Sequence, residues 1–231
     1  MAFKKASTPQ GLATATESKL FSGAAYDPAN NTAGGSSRSP LGRAPLIGLN
    51  SLFAPLGTCV VFTEPGALVT PAALYLSMSC KEVPAGTTEN RVILLRCAEP
   101  CNPLLSSSWT LVGTVFSHAN AVAAGYKDFD GASLFEKNGS FYLVASPTSD
   151  SPIADAYNGR LVYQFANIDL GLLQPNNGGP AQATSSLHGT SNSFNGACGY
   201  HAQATASGVL YSELDTSGAV IRGRVYQSHS N

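Results

Sequence analysis

Charged side chains are scarce in this 231-residue chain, where 13 Lys and Arg and 14 Asp and Glu make up 12% of the residues. An average globular protein has about 25%. The net charge of −1 and the lack of any basic cluster exclude a field that would recruit nucleic acid or a membrane surface. The polar surface must instead come from Ser, Thr, Asn, Gln and Gly, which suit neutral polar ligands. We therefore expect no nucleic acid and no membrane as partner.

Sequence motifs of several enzyme classes are also missing. The chain has no P-loop, no Gly-rich dinucleotide fingerprint, no His-Glu-x-x-His zinc motif and no Gly-x-Ser-x-Gly nucleophile turn. These absences disfavour nucleotide-dependent enzymes, zinc proteases and serine hydrolases. We predict no metal site and no cofactor, although a structural calcium ion would be compatible with the sequence.

Cysteine is limited to five residues, without the paired Cys-x-x-Cys spacing of a zinc site. Two disulfides are compatible with the spacing, Cys59–Cys80 between neighbouring strands and Cys97–Cys101 across a small loop. Reduced cysteines are the alternative, because a free cysteine packs as a small apolar residue. The odd number leaves one thiol over, which we assign to Cys198.

Long apolar runs are absent as well. Residues 44–63 carry no charge, but proline and glycine interrupt them, so they do not form a membrane helix. The first ten residues lack the apolar run of a signal peptide. Low charge, abundant Ser, Thr and Asn, and glycosylation sequons at Asn30 and Asn138 are typical of secreted proteins. We predict a secreted or extracellular protein.

Short β-branched and aromatic runs dominate the chain and alternate with clusters of Gly, Pro, Asn and Ser. Successive runs are too close for crossover helices, which excludes a doubly wound α/β fold. We predict an all-β chain. The predicted strands are residues 59–62, 73–79, 91–97, 109–116, 140–146, 160–168, 208–214 and 220–228.

A Gly-Ala pair recurs at a fixed period along the chain. It stands at Gly66-Ala67, Gly131-Ala132 and Gly196-Ala197, two steps of 65 residues, and a fainter copy begins at Phe21. A strand of similar plan follows each pair. A unit of this length with about four strands is typical of a propeller blade. The small residues fit an innermost strand, where backbones approach closely.

We therefore predict a single β-propeller domain over residues 1–231, with four or five blades. Residues 1–10 are expected to be disordered or foreign to the domain. The last repeat has room for three strands, so residues 12–21 are predicted to supply its outer strand and to close the ring. Closure would leave no exposed sheet edge.

Three features of residues 59–173 are similar to a known family. An acidic residue, Asp130, opens an inner strand, the strand GSFYL at 139–143 follows, and the pattern WTLVG at 109–113 closes the preceding blade. This segment resembles the arabinanase and β-xylosidase-like propeller glycosidases. The resemblance implies a propeller, commonly of five blades, that hydrolyses glycosidic bonds. The first-blade aspartate of that family has its nearest match in Asp27.

Glycoside hydrolysis needs two carboxyl groups that flank the scissile bond. Glu64 and Asp130 lie just before the Gly-Ala landmark in successive repeats, so we predict that both point towards one mouth of the propeller as the acid–base pair. Glu213, in an apolar strand, is a further catalytic candidate. The alternative for Glu64 and Asp130 is a structural carboxylate that caps a turn or holds neighbouring blades together. The alternative for Glu213 is a glutamate that faces the surface from its strand.

Further residues are predicted to contact the substrate. In a strand, Asp128 would share the face of Asp130; in a turn, it would only hydrogen-bond the backbone. His201 lies on the inner strand of the last repeat, where a packed, hydrogen-bonded histidine is the alternative. The others are Tyr126, Tyr200, His188 and Asp27. The predicted function is a glycoside-hydrolase-like protein that cleaves a neutral glycan. The alternative is a non-catalytic propeller that binds carbohydrate or another partner.

Overall fold

The computed structural model describes most of the chain between residues 2 and 227. The described ranges are 2–4, 6–8, 10–19, 21–22, 47–59, 61–82, 89–148, 161–176, 179–181, 193–202, 207–215 and 222–227.

The described ranges are mostly β-strand, with two short α-helices. The early elements are β1 Ala2–Lys4, β2 Glu17–Lys19, β3 Phe21–Ser22, β4 Ile47–Gly48 and α1 Leu49–Leu52. The next are β5 Val61–Val69, β6 Ala73–Glu82, β7 Glu89–Ala98, β8 Trp109–Phe116 and α2 His118–Ala123. The remainder are β9 Asp128–Lys137, β10 Ser140–Thr148, β11 Leu161–Asn167, β12 Leu172–Leu173, β13 Pro175–Asn176, β14 Gly179–Pro180, β15 Ser193–Ala202, β16 Ser207–Asp215 and β17 Arg222–Gln227.

Three antiparallel sheets contain the long strands. The first sheet has the order β5-β6-β7-β8, the second β9-β10-β11-β12, and the third β15-β16-β17. In each sheet, neighbours in sequence are neighbours in space, as short turns between antiparallel strands allow. The predicted all-β architecture of repeated, antiparallel sheets is confirmed.

A β-bulge recurs near the start of the first strand of each sheet. The last regular pairs before it are Thr63–Ser79, Asp130–Ser146 and Asn195–Glu213. Two residues of the first strand then oppose one residue of the second strand, the pattern of a bulge. Thr63, Asp130 and Asn195 are therefore structurally equivalent, in steps of 67 and 65 residues.

The bulge residues themselves differ between the sheets. They are Glu64-Pro65 in the first sheet and Gly-Ala in the other two, Gly131-Ala132 and Gly196-Ala197. The first Gly-Ala pair of the sequence, which starts at Gly66, lies just beyond its bulge. The repeat is real, but its first copy is offset by two residues from the predicted alignment.

The first two sheets pack through their first strands. A Cβ atom placed on Gly66 would lie 2.6 Å from the carbonyl oxygen of Ala132 and 2.8 Å from the Cα of Ser133. Real Cβ atoms do not approach backbone so closely, so this position of β5 requires glycine. The predicted close approach of backbones at the Gly-Ala pair is confirmed at Gly66.

An apolar core fills the space between the first two sheets. It includes Val92 and Leu94 from β7, Phe116 from β8, and Phe129 and Leu143 from the second sheet. The opposite face of the first sheet packs on the segment around α1, through a second cluster. Its fully buried members include Leu49, Leu56, Cys80, Ile93, Leu95 and Cys97.

The predicted ring closure by residues 12–21 is not seen in the described ranges. Gln10–Ala13 form a 3-10 helix, and β2 pairs with β1 instead of with the third sheet. The third sheet contains three strands in the part of the chain that the structure describes. Local pairing over a short loop costs less chain entropy than pairing with a strand some 200 residues away, which favours the β1–β2 ladder.

Both disulfides that the spacing allowed are formed, Cys59–Cys80 and Cys97–Cys101. The carboxylate of Glu82 lies close to the sulfurs of Cys59 and Cys80, a grouping that could suggest a metal site. The two sulfurs are bonded to each other, however, and offer no thiolate to a metal ion. None of the helices in the described ranges has the length and apolar character needed to cross a bilayer.

Candidate functional site

Glu64, Asp128 and Asp130 occupy strand positions near one end of the first two sheets. Lys81 pairs with both Val61, where β5 begins, and Asn90, near the start of β7. The backbone N–H of Asn90 donates to Oδ1 of Asp128, where β9 begins, at 3.1 Å. The starts of β5 and β9 therefore lie at the same end, which we call the bulge end because both bulges are close to it.

Glu64 lies inside the bulge of β5, at this end. Its φ is +53°, in the left-handed region that side chains with a Cβ rarely adopt. The equivalent positions of the second and third sheets are Gly131 and Gly196, which carry no such cost. Glu64 is half-buried. The first sheet thus places a carboxylate where the other two sheets have glycine.

Asp130 occupies the position just before the bulge of the second sheet, where it pairs with Ser146. Its equivalents are Thr63 and Asn195, both neutral. Glu213 is the partner of Asn195 on the neighbouring strand of the third sheet. By register, Asp130 and Glu213 both lie beside the bulge of their sheet, as Glu64 does.

Asp128 also lies at the bulge end, but its side chain is only 3% exposed. Its Oδ1 accepts from the N–H of Asn90 and lies 2.9 Å from Nδ1 of His118. Strand β8 ends at Phe116, opposite Val92, so the N–H of Asn90 lies beyond the ladder and Asp128 replaces the missing strand. Oδ1 of Asp128 thus contacts protein groups and ties β9 to the first sheet.

His118 is a residue that the sequence did not single out. It begins α2, after Ser117, whose side chain accepts from the N–H of Asn120 in a capping box. Its Nδ1 faces Asp128, and its Nε2 lies 4.0 Å from Oε1 of Glu89. The signal that could have found it is Ser117-x-x-Asn120, which marks a helix start between two strands.

Tyr126 precedes β9 and is half-buried. Its ring meets Phe129 edge to face, with centroids 5.6 Å apart, and it packs against the core between the two sheets. Only part of its surface is therefore available to a ligand.

Tyr200 and His201 lie at the far end of the third sheet. They pair with Val209 and Gly208, five and six residues along β15 from Asn195. At about 3.3 Å per residue, they are about 15–20 Å along the strand from Asn195, the partner of Glu213. The structure therefore does not group these two residues with Glu213, which lies beside the bulge. His188 and Asp27 lie outside the described residues.

A polar cluster connects the first two sheets at the end opposite to the bulges. The hydroxyl of Tyr75 donates to Oδ1 of Asp169 at 2.6 Å, and Nε of Arg96 lies 2.7 Å from the same oxygen. Burial raises the pKa of Tyr75, and the hydrogen bond to Asp169 raises it further. The tyrosine therefore stays neutral and acts as a donor, a structural role.

The class of fold is now defined: repeated four-stranded antiparallel sheets that pack through their first strands. The chain is similar to a crystal structure of α-L-arabinofuranosidase from Lactobacillus brevis, with a TM-score of 0.51, 12% identity, and 99% of this chain and 65% of that chain covered. It is also similar to a thermostable family-43 glycoside hydrolase, with a TM-score of 0.50, 9% identity, and 72% and 54% covered.

Because the sequence identities are low, these similarities bear on the fold alone. The chain spans 65% and 54% of the lengths of the two structures. No protein-family model and no curated protein matches the sequence. The resemblance of residues 59–173 to propeller glycosidases is thus supported at the level of the fold.

Proposed function

We propose that the protein is a secreted glycoside-hydrolase-like propeller that acts on a neutral glycan. Four or five sheets of the observed kind would surround one axis, with the bulge end as the mouth. Glu64 and Asp130 are the proposed acid–base pair, and Glu213 is a third catalytic candidate. The low charge of the chain, at 12%, fits an uncharged, hydroxyl-rich ligand.

One observation carries the proposal: Glu64 is held at φ +53° where the equivalent residues are glycine. A non-glycine residue in this region costs of order 1–3 kcal/mol, and such residues cluster at active sites and ligand clamps. Glycine would serve the bulge equally well. The glutamate is therefore better explained by its carboxylate than by the needs of the backbone.

The chemistry requires one protonated and one ionised carboxyl group on either side of the glycosidic bond. A separation of about 5–5.5 Å would give retention of anomeric configuration, and about 6.5–9.5 Å would give inversion, because the longer distance leaves room for a water. A β-bulge changes the direction of a side chain near the end of a strand, and this could bring a carboxylate to the required distance from the glycosidic bond.

The test is a screen of neutral glycans and chromogenic glycosides with wild type, Glu64→Gln and Asp130→Asn. We expect each variant to retain its fold and to lose at least about 100-fold in kcat, the size typical of an acid–base group. Glu136→Gln, which changes an exposed carboxylate on β9, is the matched control and should keep full activity. Unchanged turnover in Glu64→Gln and Asp130→Asn would contradict the proposed pair.

A second candidate is a propeller that binds glycans without cleaving them. The observation in its favour is that two of the three equivalent positions before the bulges are neutral, Thr63 and Asn195. Such a protein would bind an oligosaccharide that stays intact over long incubation, and Glu64→Gln would change its affinity alone.

A further inference from the structure

Three neutral side chains of the first sheet each have a buried oxygen without a hydrogen-bond partner among the residues that the structure describes. The oxygens are Oγ1 of Thr63, Oγ of Ser79 and Oδ1 of Asn90. The side chain of Ser79 is fully buried, and that of Asn90 is 8% exposed. Buried polar atoms are nearly always paired with protein or with ordered water, so a group of three needs an explanation.

The three side chains share one face of the first sheet. Thr63 and Ser79 are directly opposite each other on β5 and β6. Ser79 pairs with Val92 on β7, and Asn90 is two residues before Val92, so the alternation of the strand puts it on the same face. Thr63 and Ser79 are opposed, so their Cβ atoms are about 4.5–5.5 Å apart, whereas Asn90 is opposite Lys81 and is a diagonal neighbour of Ser79, at about 7–8 Å. Ser79 thus lies between Thr63 and Asn90, and we call this group of three side chains the polar recess.

This recess faces the start of β9. Ser77, two residues before Ser79, donates from this face to the carbonyl oxygen of Ala132 at 3.2 Å. At the other side of the recess, the N–H of Asn90 donates to Asp128. The recess therefore faces the stretch of β9 between these two contacts, residues 129–131, directly behind the bulge end.

We propose that the polar recess of Thr63, Ser79 and Asn90 binds at least one internal water molecule that bridges the first sheet to the start of β9. Two hydroxyls and an amide oxygen offer both donors and acceptors, and an internal water makes about three such bonds. None of the three side chains is charged, Lys81 lies opposite Asn90 on the same strand face, and Asp128 already uses one oxygen for Asn90 and His118, which favours water over a metal ion.

Thermal unfolding of Ser79→Ala and Thr63→Val tests the proposal. If water is bound, each variant leaves it short of a partner, and we expect Tm to fall by about 2–4 °C. If the recess is dry, each variant removes an unpaired hydroxyl from an apolar setting and Tm rises. Ser77→Ala, which loses its bond to Ala132, should lower Tm in either case and serves as the reference.

The second measurement is the magnetic relaxation dispersion of water nuclei in a solution of the intact protein, which detects long-lived internal water. We expect a long-lived internal water in wild type and in Ser77→Ala, and a weaker signal in the Ser79→Ala and Thr63→Val variants. An unchanged or raised Tm in both recess variants, together with an unchanged relaxation signal, would overturn the proposal. Neither measurement uses glycosidase activity, so the outcome is independent of the proposed function.

Discussion

At the scale of single residues, Glu64 shows how a backbone angle separates a functional hypothesis from a structural one. Glycine adopts a positive φ without steric cost, whereas a residue with a Cβ pays about 1–2 kcal/mol. The second and third sheets use glycine at this position and the first uses glutamate. At the φ of +53° that Glu64 adopts, stability alone would select glycine.

We predict that Glu64→Gly is more stable than Glu64→Ala by about 1 kcal/mol, because both variants lose the carboxylate and only alanine keeps the strained Cβ. Urea unfolding of the two variants measures the difference. Both should lack glycosidase activity. An alanine variant as stable as the glycine variant would mean that the φ of +53° carries no cost.

Asn138 provides the matched control for this comparison. It also has a φ of +53°, but it lies exposed in the turn between β9 and β10. We expect Asn138→Gly to exceed Asn138→Ala in stability by a similar amount, with full activity in both. If the Asn138 variants also lost activity, the loss in the Glu64 variants could come from lower stability and would not identify Glu64 as a site residue.

Much of this site could not be predicted from the sequence. Glu64 and Asp130 were predicted as a pair, but from an alignment that equated Gly66 with Gly131; the registers equate Glu64 with Gly131. Asp128 was predicted to share a ligand-facing role with Asp130. Its burial depends on the early end of β8, a tertiary feature that alternation along β9 does not reveal.

At the scale of elements, the β-branched runs predicted most strands well. The predicted strand 109–116 coincides with β8, and 91–97 lies within β7. Strand β5 extends beyond the predicted residues 59–62, and β9 and β15 were not among the predicted strands, because Pro65-Gly66 and Asp130-Gly131 read as turn signals. In the structure these residues belong to bulges or their borders, where an extended strand accommodates proline and glycine.

The contact between β5 and β9 is the element-scale feature that glycine makes possible. We predict that Gly66→Ala destabilises the fold by about 2 kcal/mol, within the range of overpacking, because its Cβ would meet the backbone of Ala132 and Ser133. Ala67→Ser, at the next and exposed position, should cost less than about 0.5 kcal/mol. Equal midpoints for the two variants in chemical denaturation would argue against the close approach.

At the scale of the whole molecule, the two disulfides differ in what they connect. Cys59–Cys80 joins the segment before β5 to the first sheet over a sequence separation of 21 residues, whereas Cys97–Cys101 closes a loop of 4. Arg91 adds to the first connection, since it donates to the carbonyl oxygen of Pro55 at 2.8 Å and pairs with Glu82 at 3.0 Å. The apolar contacts of Leu49 and Leu56 extend the same interface.

Chain entropy predicts that the longer loop contributes more. We expect the double variant Cys59→Ala, Cys80→Ala to lose about 3 kcal/mol of unfolding free energy, and the matched variant Cys97→Ala, Cys101→Ala to lose about 2 kcal/mol. Denaturation with and without reductant measures both effects. Reduction should lower the stability of wild type by more than either variant loses, since it opens both loops. A larger loss of unfolding free energy in the Cys97→Ala, Cys101→Ala variant would mean that strain or packing around the short loop outweighs chain entropy. Cys59–Cys80 would then not be the disulfide that stabilises the fold most.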